Sequence, residues 1–361
     1  MTPDLLTRLP PKAKVSKDLP WNSQERLDAV LAAVANVRCT NFAALQGELL
    51  ALHPEICGRT DFLSVAGDAF CFPTTVRDQV FDHPVFRIWF ANLLCELNLD
   101  FLGQAKAEGG VEMALAAFSP MLERVQTDLS SGRRPQFASR DIDPIIAERL
   151  PPSYVMPEGE VALAAAVRMG HPLSFFQEVV NLALDRIMGT WPNVHDLIRR
   201  LVAIVLYLPD GNFRSCSASR YPGVVLISAR DSSIVDLEES FVHEAGHQLL
   251  YQIAELGAIT VPLAGGDYRL PWSIQVRDIY GYFHAYFIYV LLARYLERVM
   301  DRDGRDGERA TARVKHILTG LAKAREELES AKDVTAAGRS LLEALGVEVA
   351  GLLGRHPRLV A

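Results

Sequence analysis

Two histidines four residues apart constrain this chain more than anything else in it. They stand in the middle of DLEESFVHEAGHQLLYQIAEL, as His243-Glu244-Ala245-Gly246-His247. The apolar residues around them (Leu237, Phe241, Leu249, Leu250) recur at helical spacing, so the stretch is expected to form one long buried helix over about 234–256. On a helix, positions i and i+4 share a face one turn apart. Two imidazoles so placed can hold one divalent ion at about 2.0–2.1 Å. Glu239 lies a further turn back on the same stripe and is a candidate to orient an imidazole through the ring nitrogen that faces away from the metal. Gly246 leaves room for a neighbouring segment. The competing reading is a pair of solvated or hydrogen-bonded histidines. A helix this apolar speaks against it, because unpaired imidazoles are costly to bury.

The chemistry depends on the third ligand. A zinc peptidase would use Glu244 as general base toward a metal-bound water. The extended HExxHxxGxxH pattern is absent, since positions 250 and 253 are Leu250 and Ile253, and no Glu occurs between Glu255 and Glu297. Glu255 is too close in sequence to fold back onto the ion. That leaves Asp267, Asp278 and His284, of which His284, in the aromatic-rich stretch RDIYGYFHAYFIYVLL, is the best candidate. If one helix runs from about Ser273 to Met300, then Arg277, Gly281, His284 and Ile288 share a stripe. An arginine there can fork onto a carboxylate of substrate or cosubstrate. A core histidine bonded to backbone, and a solvated or ion-paired arginine, are the bland alternatives.

The rest of the chain reads as mainly α. Ser23 to about Ser130 is helical in period, 131–160 is rich in Gly, Pro, Ser and charge and is expected to be a linker, and 1–22 is expected to be an irregular arm. The HExxH region is then a metal-binding catalytic domain over 161–361. Inside it, AIVLYL (203–208) and GVVLIS (223–228) form a small β element beside the motif helix. Net charge is −7, which argues against a nucleic-acid partner. The five cysteines lack CxxC spacing and fit reduced thiols in a cytoplasm. No secretory h-region and no membrane span are expected.

Two stretches, GVVLISARDSSIVDLEESFVHEAGHQLLYQ and YRLPWSIQVRDIYGYFHAYF, resemble the bacterial HEXXH-motif peptide-modification proteins, 2-oxoglutarate- and iron-dependent peptide hydroxylases. These accompany ribosomally made, post-translationally modified peptides. In that family a strand ending near a Ser precedes the motif helix, and a PWR-type segment with a second Arg precedes a G-x-x-H helix. The matching positions are Pro271-Trp272, Arg277 and Gly281 to His284, while Ser273 replaces the family's first Arg. The likeness is good over 220–290 and loose over 80–361.

The resemblance implies Fe(II)/2-oxoglutarate-dependent hydroxylation of a β-carbon in a precursor peptide. His243, His247 and His284 would hold the metal and Arg277 the far carboxylate of 2-oxoglutarate. Glu244 would tune a ligand water, and Trp272 and Tyr280 would help exclude bulk water. Two further readings stay open: a zinc metallopeptidase with Glu244 as base, and a non-catalytic peptide-binding protein with a degenerate metal site.

Overall fold

The computed structural model describes residues 19–52, 54–70, 74–101, 109–130, 136–138, 173–207, 213–219, 221–228, 233–261 and 267–360. The fold is mainly α with two small sheets. The expected linker falls outside the described residues except at 136–138, and the expected arm does so except at 19–22. Those few residues depart from expectation. Leu19 and Trp21 are buried in the main core, Trp21 edge-on to Phe287 with ring centres 5.1 Å apart. Residues 136–138 form a strand. Hydrophobic anchoring decides the first case and parallel pairing with residues 204–206 the second, in segments whose Pro and Gly content otherwise reads as irregular.

Among the described residues the first α-helices are α1 (Gln24–Leu52), α2 (Pro54–Arg59), α3 (Phe62–Phe70), α4 (Thr74–Asp82), α5 (Pro84–Phe101), α6 (Gly110–Ala116) and α7 (Phe118–Ser130). Helix α1 runs unbroken through Thr40, whose hydroxyl donates back to the Asn36 carbonyl at 2.9 Å and so keeps to the helical path. Its first half places Leu27 and Leu31 in the main core. Its second half places Phe42, Leu45 and Leu49 in a separate core with Phe62, Phe86, Trp89 and Phe118. Phe42 is the hub of that cluster, touching the rings of Phe62, Trp89 and Phe118 at centre distances of 6.0, 5.9 and 5.7 Å.

The remainder is β1 (Gln136–Ala138), α8 (Leu173–Thr190), α9 (Pro192–Leu201), β2 (Ile204–Tyr207), β3 (Ser215–Cys216), β4 (Val224–Ile227) and α10 (Ile234–Leu256). After these come β5 (Tyr268–Arg269), β6 (Val276–Arg277), α11 (Ile279–Val299), α12 (Arg305–Ser330), α13 (Ala336–Arg355) and α14 (Pro357–Val360). The larger sheet has the order β1-β2-β4-β3; the first three strands are parallel and β3 lies antiparallel on the edge. Strands β2 and β4 are apolar on both faces because both faces are covered. Val205, Val225 and Ile227 point into the main core, while Ile204, Leu206, Val224 and Leu226 pack with Ile88 and Tyr221.

Helix α10 is the motif helix, with the bounds its periodicity predicts. The Ser233 hydroxyl caps its start by accepting from Asp236 N at 3.2 Å. It is buried on nearly all sides, between α11 and the sheet. Gly246 permits the contact with α11: a Cβ there would stand 2.8 Å from Ile288 Cδ1 and 3.2 Å from Leu291 Cδ2. Gln248 ties the other face to the sheet, its Oε1 accepting from Gly223 N at 2.8 Å. At the far end Glu255 takes both Nε and Nη2 of the buried Arg38, at 2.6 and 2.8 Å, and Arg38 also donates to Asp82 at 3.0 Å. Arg38 therefore fastens α1 and α4 to the motif helix.

Arg38 is 3 % exposed, and its loss removes from Asp82 and Glu255 the cation they share, with Arg87, 3.7 Å from Glu255, in partial compensation. Arg38→Met is expected to destabilise the protein by about 3 kcal/mol, as when one partner of a buried ion pair is removed. Urea unfolding followed by circular dichroism measures this; a change below about 1 kcal/mol contradicts it.

Candidate metal centre

On α10 the imidazoles of His243 and His247 turn toward each other, Nε2 to Nε2 at 3.0 Å. Two nitrogens bound to one ion at about 2.05 Å, at angles between octahedral and tetrahedral, are about 2.9–3.4 Å apart. The pair therefore has the spacing a shared ion requires. His284 comes from α11 and stands next to it, its ring centre 5.1 Å from that of His247, against 4.7 Å between His243 and His247. Rings sharing one ion have centres about 4.5–5.2 Å apart by the same geometry. Among the described residues, no group of three or more His, Cys, Asp or Glu side chains is gathered as a complete metal-binding set. The histidine pair is assembled, and the third ring is within reach of it.

Two buried atoms here have no hydrogen-bond partner among the described residues: His284 Nε2 and His247 Nδ1. Burying such nitrogens without a partner costs energy, and an ion held at His284 Nε2 would remove half of that cost. All three rings are held neutral, the form that ligates a metal. Burial pushes His247 down to about 4 and, with His247 adding, His284 down to about 3. Burial also takes His243 well below the ordinary imidazole value, helped by His247, Arg214 and Arg313. The donor set thus fits a borderline divalent ion such as Fe(II) or Zn(II).

Glu244 points from α10 to strand β3. Its Oε1 accepts from the Ser215 hydroxyl and its Oε2 from the Ser217 hydroxyl, each at 2.6 Å. Burial nevertheless raises its carboxyl to about 7, against the pull of the two hydroxyls and of Arg214. Ser215 and Ser217 are functional candidates that the sequence did not disclose. The alternation that puts positions 215 and 217 on one face is a strand signal, but only two residues of the strand form.

The other expected residues are dispersed. Glu239 bonds to Arg313 at 2.8 Å and lies 4.0 Å from Arg214, so its carboxylate serves these guanidinium groups and not the imidazole behind which it was expected. Arg277 is not on the α11 stripe. The helix starts later than expected, because Asp278 caps it by accepting from Gly281 N at 2.7 Å. Arg277 falls instead in β6, exposed, and donates to Gln275 Oε1 at 2.7 Å, its alkyl stem lying over Gly281. Asp278 is thereby a capping residue, and Asp267 is exposed ahead of β5. Trp272 is held under α12, donating to the Ile317 carbonyl at 2.9 Å and packing on Tyr289, so it belongs to the core. Tyr280 does border the centre, edge-on to His284 at 4.7 Å, with Tyr251 on the other side at 5.0 Å. His243 and His247 are only half-buried, so the centre opens to solvent on their side.

These placements order the ligands. His243→Ala and His247→Ala should each abolish tight binding of a divalent ion with the fold retained. His284→Ala should weaken it by more than about 10²-fold, above the roughly 10- to 100-fold loss typical of outer partners. Asp278→Asn, which still caps α11, should leave it unchanged. Metal titration with a competing chelator tests the series, and equal losses for Asp278→Asn and His284→Ala would remove His284 from the site.

Glu244 has a pH signature. Its folded value of about 7 lies above the ordinary 4.5, so in metal-free protein it costs nothing below pH 4.5, and its destabilisation grows as pH rises and is complete above pH 7. Glu244→Gln should thus match wild type near pH 4 and exceed it at pH 8 by about 3 kcal/mol. Denaturant midpoints at the two pH values check this. No family model matches the chain, and no curated protein matches it.

Proposed function

We propose that this protein is a metal-dependent enzyme, an Fe(II)/2-oxoglutarate-dependent hydroxylase of a residue in a ribosomally made peptide. The observation that carries the metal site is the 3.0 Å approach of His243 and His247 Nε2, with the unpartnered Nε2 of His284 on the next helix. The choice of oxygenase chemistry and of a peptide substrate rests on the resemblance of 220–290 to the HEXXH-motif peptide-modification proteins.

Iron bound there would activate dioxygen, the oxidant, and offer a chelation site for a 2-oxo acid, since up to three histidines leave coordination positions open. The chain's own part is to bind, orient and exclude. Neutral imidazoles hold the ion without cancelling its charge. Tyr280 and Tyr251 wall the His284 side against water. Ser215 and Ser217 hold both oxygens of Glu244, keeping the carboxylate on the β3 side of the helix.

One observation favours a zinc peptidase instead. A carboxyl of about 7 beside a histidine pair is suited to general-base work at neutral pH. The two serine bonds weigh against it, because a base must turn a lone pair to the metal-bound water. The deciding experiment is purification without air, metal analysis, and assay of 2-oxoglutarate conversion to succinate. The expected result is stoichiometric iron and succinate formation lost in His243→Ala. Bound zinc with peptide cleavage abolished by Glu244→Gln would establish the peptidase.

A further inference from the structure

In an antiparallel pair, residues that bond to the neighbouring strand alternate with residues whose N–H and C=O point the other way. Strand β3 is the last of its sheet, so the second set faces a free edge. The register fixes which residues these are. The Arg214 carbonyl accepts from Ser228 N at 3.0 Å, Ser215 lies opposite Ile227, and Cys216 lies opposite Leu226. Positions 214 and 216 therefore bond to the β4 side, and Ser215 turns its N–H and C=O outward. Ser217 continues the alternation, because its hydroxyl and that of Ser215 reach the same carboxylate, Glu244. Among the described residues, none bonds to the main-chain N–H or C=O of Ser215 or to the N–H of Ser217, and the Ser217 carbonyl meets only the Cys216 thiol, at 3.8 Å. Residues 215–218 contain none of the prolines or charges that commonly close an edge.

This edge runs past the histidines. Asp236, Ser240, His243 and His247 are spaced by four, three and four residues and so form one stripe of α10. Arg214 donates to the Asp236 carbonyl and the Ser240 hydroxyl on that stripe, at 2.8 and 3.3 Å, and Ser215 and Ser217 bond the Glu244 that follows His243. Strand β3 thus follows α10 on its histidine side. A chain laid along the outer edge, about 4.8 Å further out, lies beside the side of His243 and His247 that opens to solvent. Main-chain donors and acceptors that recur at every second residue are complementary to another extended backbone. We infer that an extended segment of the peptide substrate pairs with the free edge of β3, exchanging hydrogen bonds with Ser215 and Ser217, and that this pairing presents one of its residues to the histidine pair. The inference rests on the peptide substrate of the proposed function and deepens it: recognition is of main chain, so it tolerates varied side chains along the paired stretch.

The probe is a linear peptide selected from a random-sequence phage library on the zinc-loaded full chain, then resynthesised with each backbone nitrogen methylated in turn. Its affinity for wild type, read by fluorescence anisotropy, should fall about 10-fold for methylation at alternate residues, each loss being one hydrogen bond to the edge, and hold at the residues between them. Ser215→Pro removes the outward N–H at a position where an edge strand tolerates proline. It should bind the unmethylated peptide at least about 10-fold more weakly, whereas Ser215→Ala, which lacks only the hydroxyl, should keep the affinity. Melting curves and metal content verify both variants, and the methylation series reports on wild type even if Ser215→Pro does not fold. Paramagnetic Co(II) in place of zinc should broaden the proton NMR lines of the bound peptide. Affinity losses without a period of two, equal losses in Ser215→Pro and Ser215→Ala, an unbroadened peptide, or a library that yields no binder overturns the inference. So does a peptide-free dimer that Ser215→Pro dissolves, which gives the edge to a second copy of the chain. Any of these leaves the oxygenase reading standing if the iron-loaded protein converts 2-oxoglutarate to succinate. Period-two binding without that conversion overturns the oxygenase reading and keeps the edge as a peptide site.

Discussion

Six polar side chains on one buried helix each find a partner on another element, and the architecture is organised around those pairings. Along α10, Asp236 meets Arg309 and Glu239 meets Arg313 of α12. Glu238 meets Arg186 of α8, Tyr295 of α11 and Arg302. Glu244 meets the serines of the β3 segment, Gln248 meets Gly223 at the start of β4, and Glu255 meets Arg38 of α1. Each group would be costly to bury alone. The burial that gives α10 its place in the core therefore obliges the surrounding elements to deliver complementary groups at fixed heights along it. The result is a rigid rod with two imidazoles at its centre.

Rigidity matters more at a metal centre than raw stability does. Two nitrogens 3.0 Å apart keep that spacing only if their backbone does not move. Helix α10 is fixed at its start by the Ser233 cap, along its length by ion pairs, at Gly246 by close packing against Ile288 and Leu291, and at its end by Arg38. The same Gly246 contact positions α11 so that His284 stands beside His247. A single glycine thus links the packing of two helices to the composition of the candidate ligand set.

The N-terminal helices take part in this arrangement. Their aromatic cluster around Phe42 is a core of its own, yet α1 continues into the main core, and Arg38 sits at the junction. Arginines, with fork geometry and a charge that persists on burial, satisfy the buried acids.

The sequence by itself determined the helical class, the bounds of α10, the positions of β2 and β4, and the face shared by His243 and His247. All of these follow from periodicity and from spacing within one element. Gly246 was legible as a place of close approach, and Glu255 as a residue that does not reach the metal. Only the tertiary structure decided which side chains from other elements arrive at that face. Arg277 left the expected stripe because the Asp278 side chain caps α11 so that it begins at Ile279 and not near Ser273, Trp272 went to the core because the Ile317 carbonyl accepts its indole N–H, and Glu239 turned to Arg313. Ser215 and Ser217 lie 28 and 26 residues before His243, in a two-residue strand too short to show alternation. The periodicity of a helix is a property of its own residues, whereas the partner of a buried charge is fixed by whichever donor the packing of distant segments brings within bonding distance.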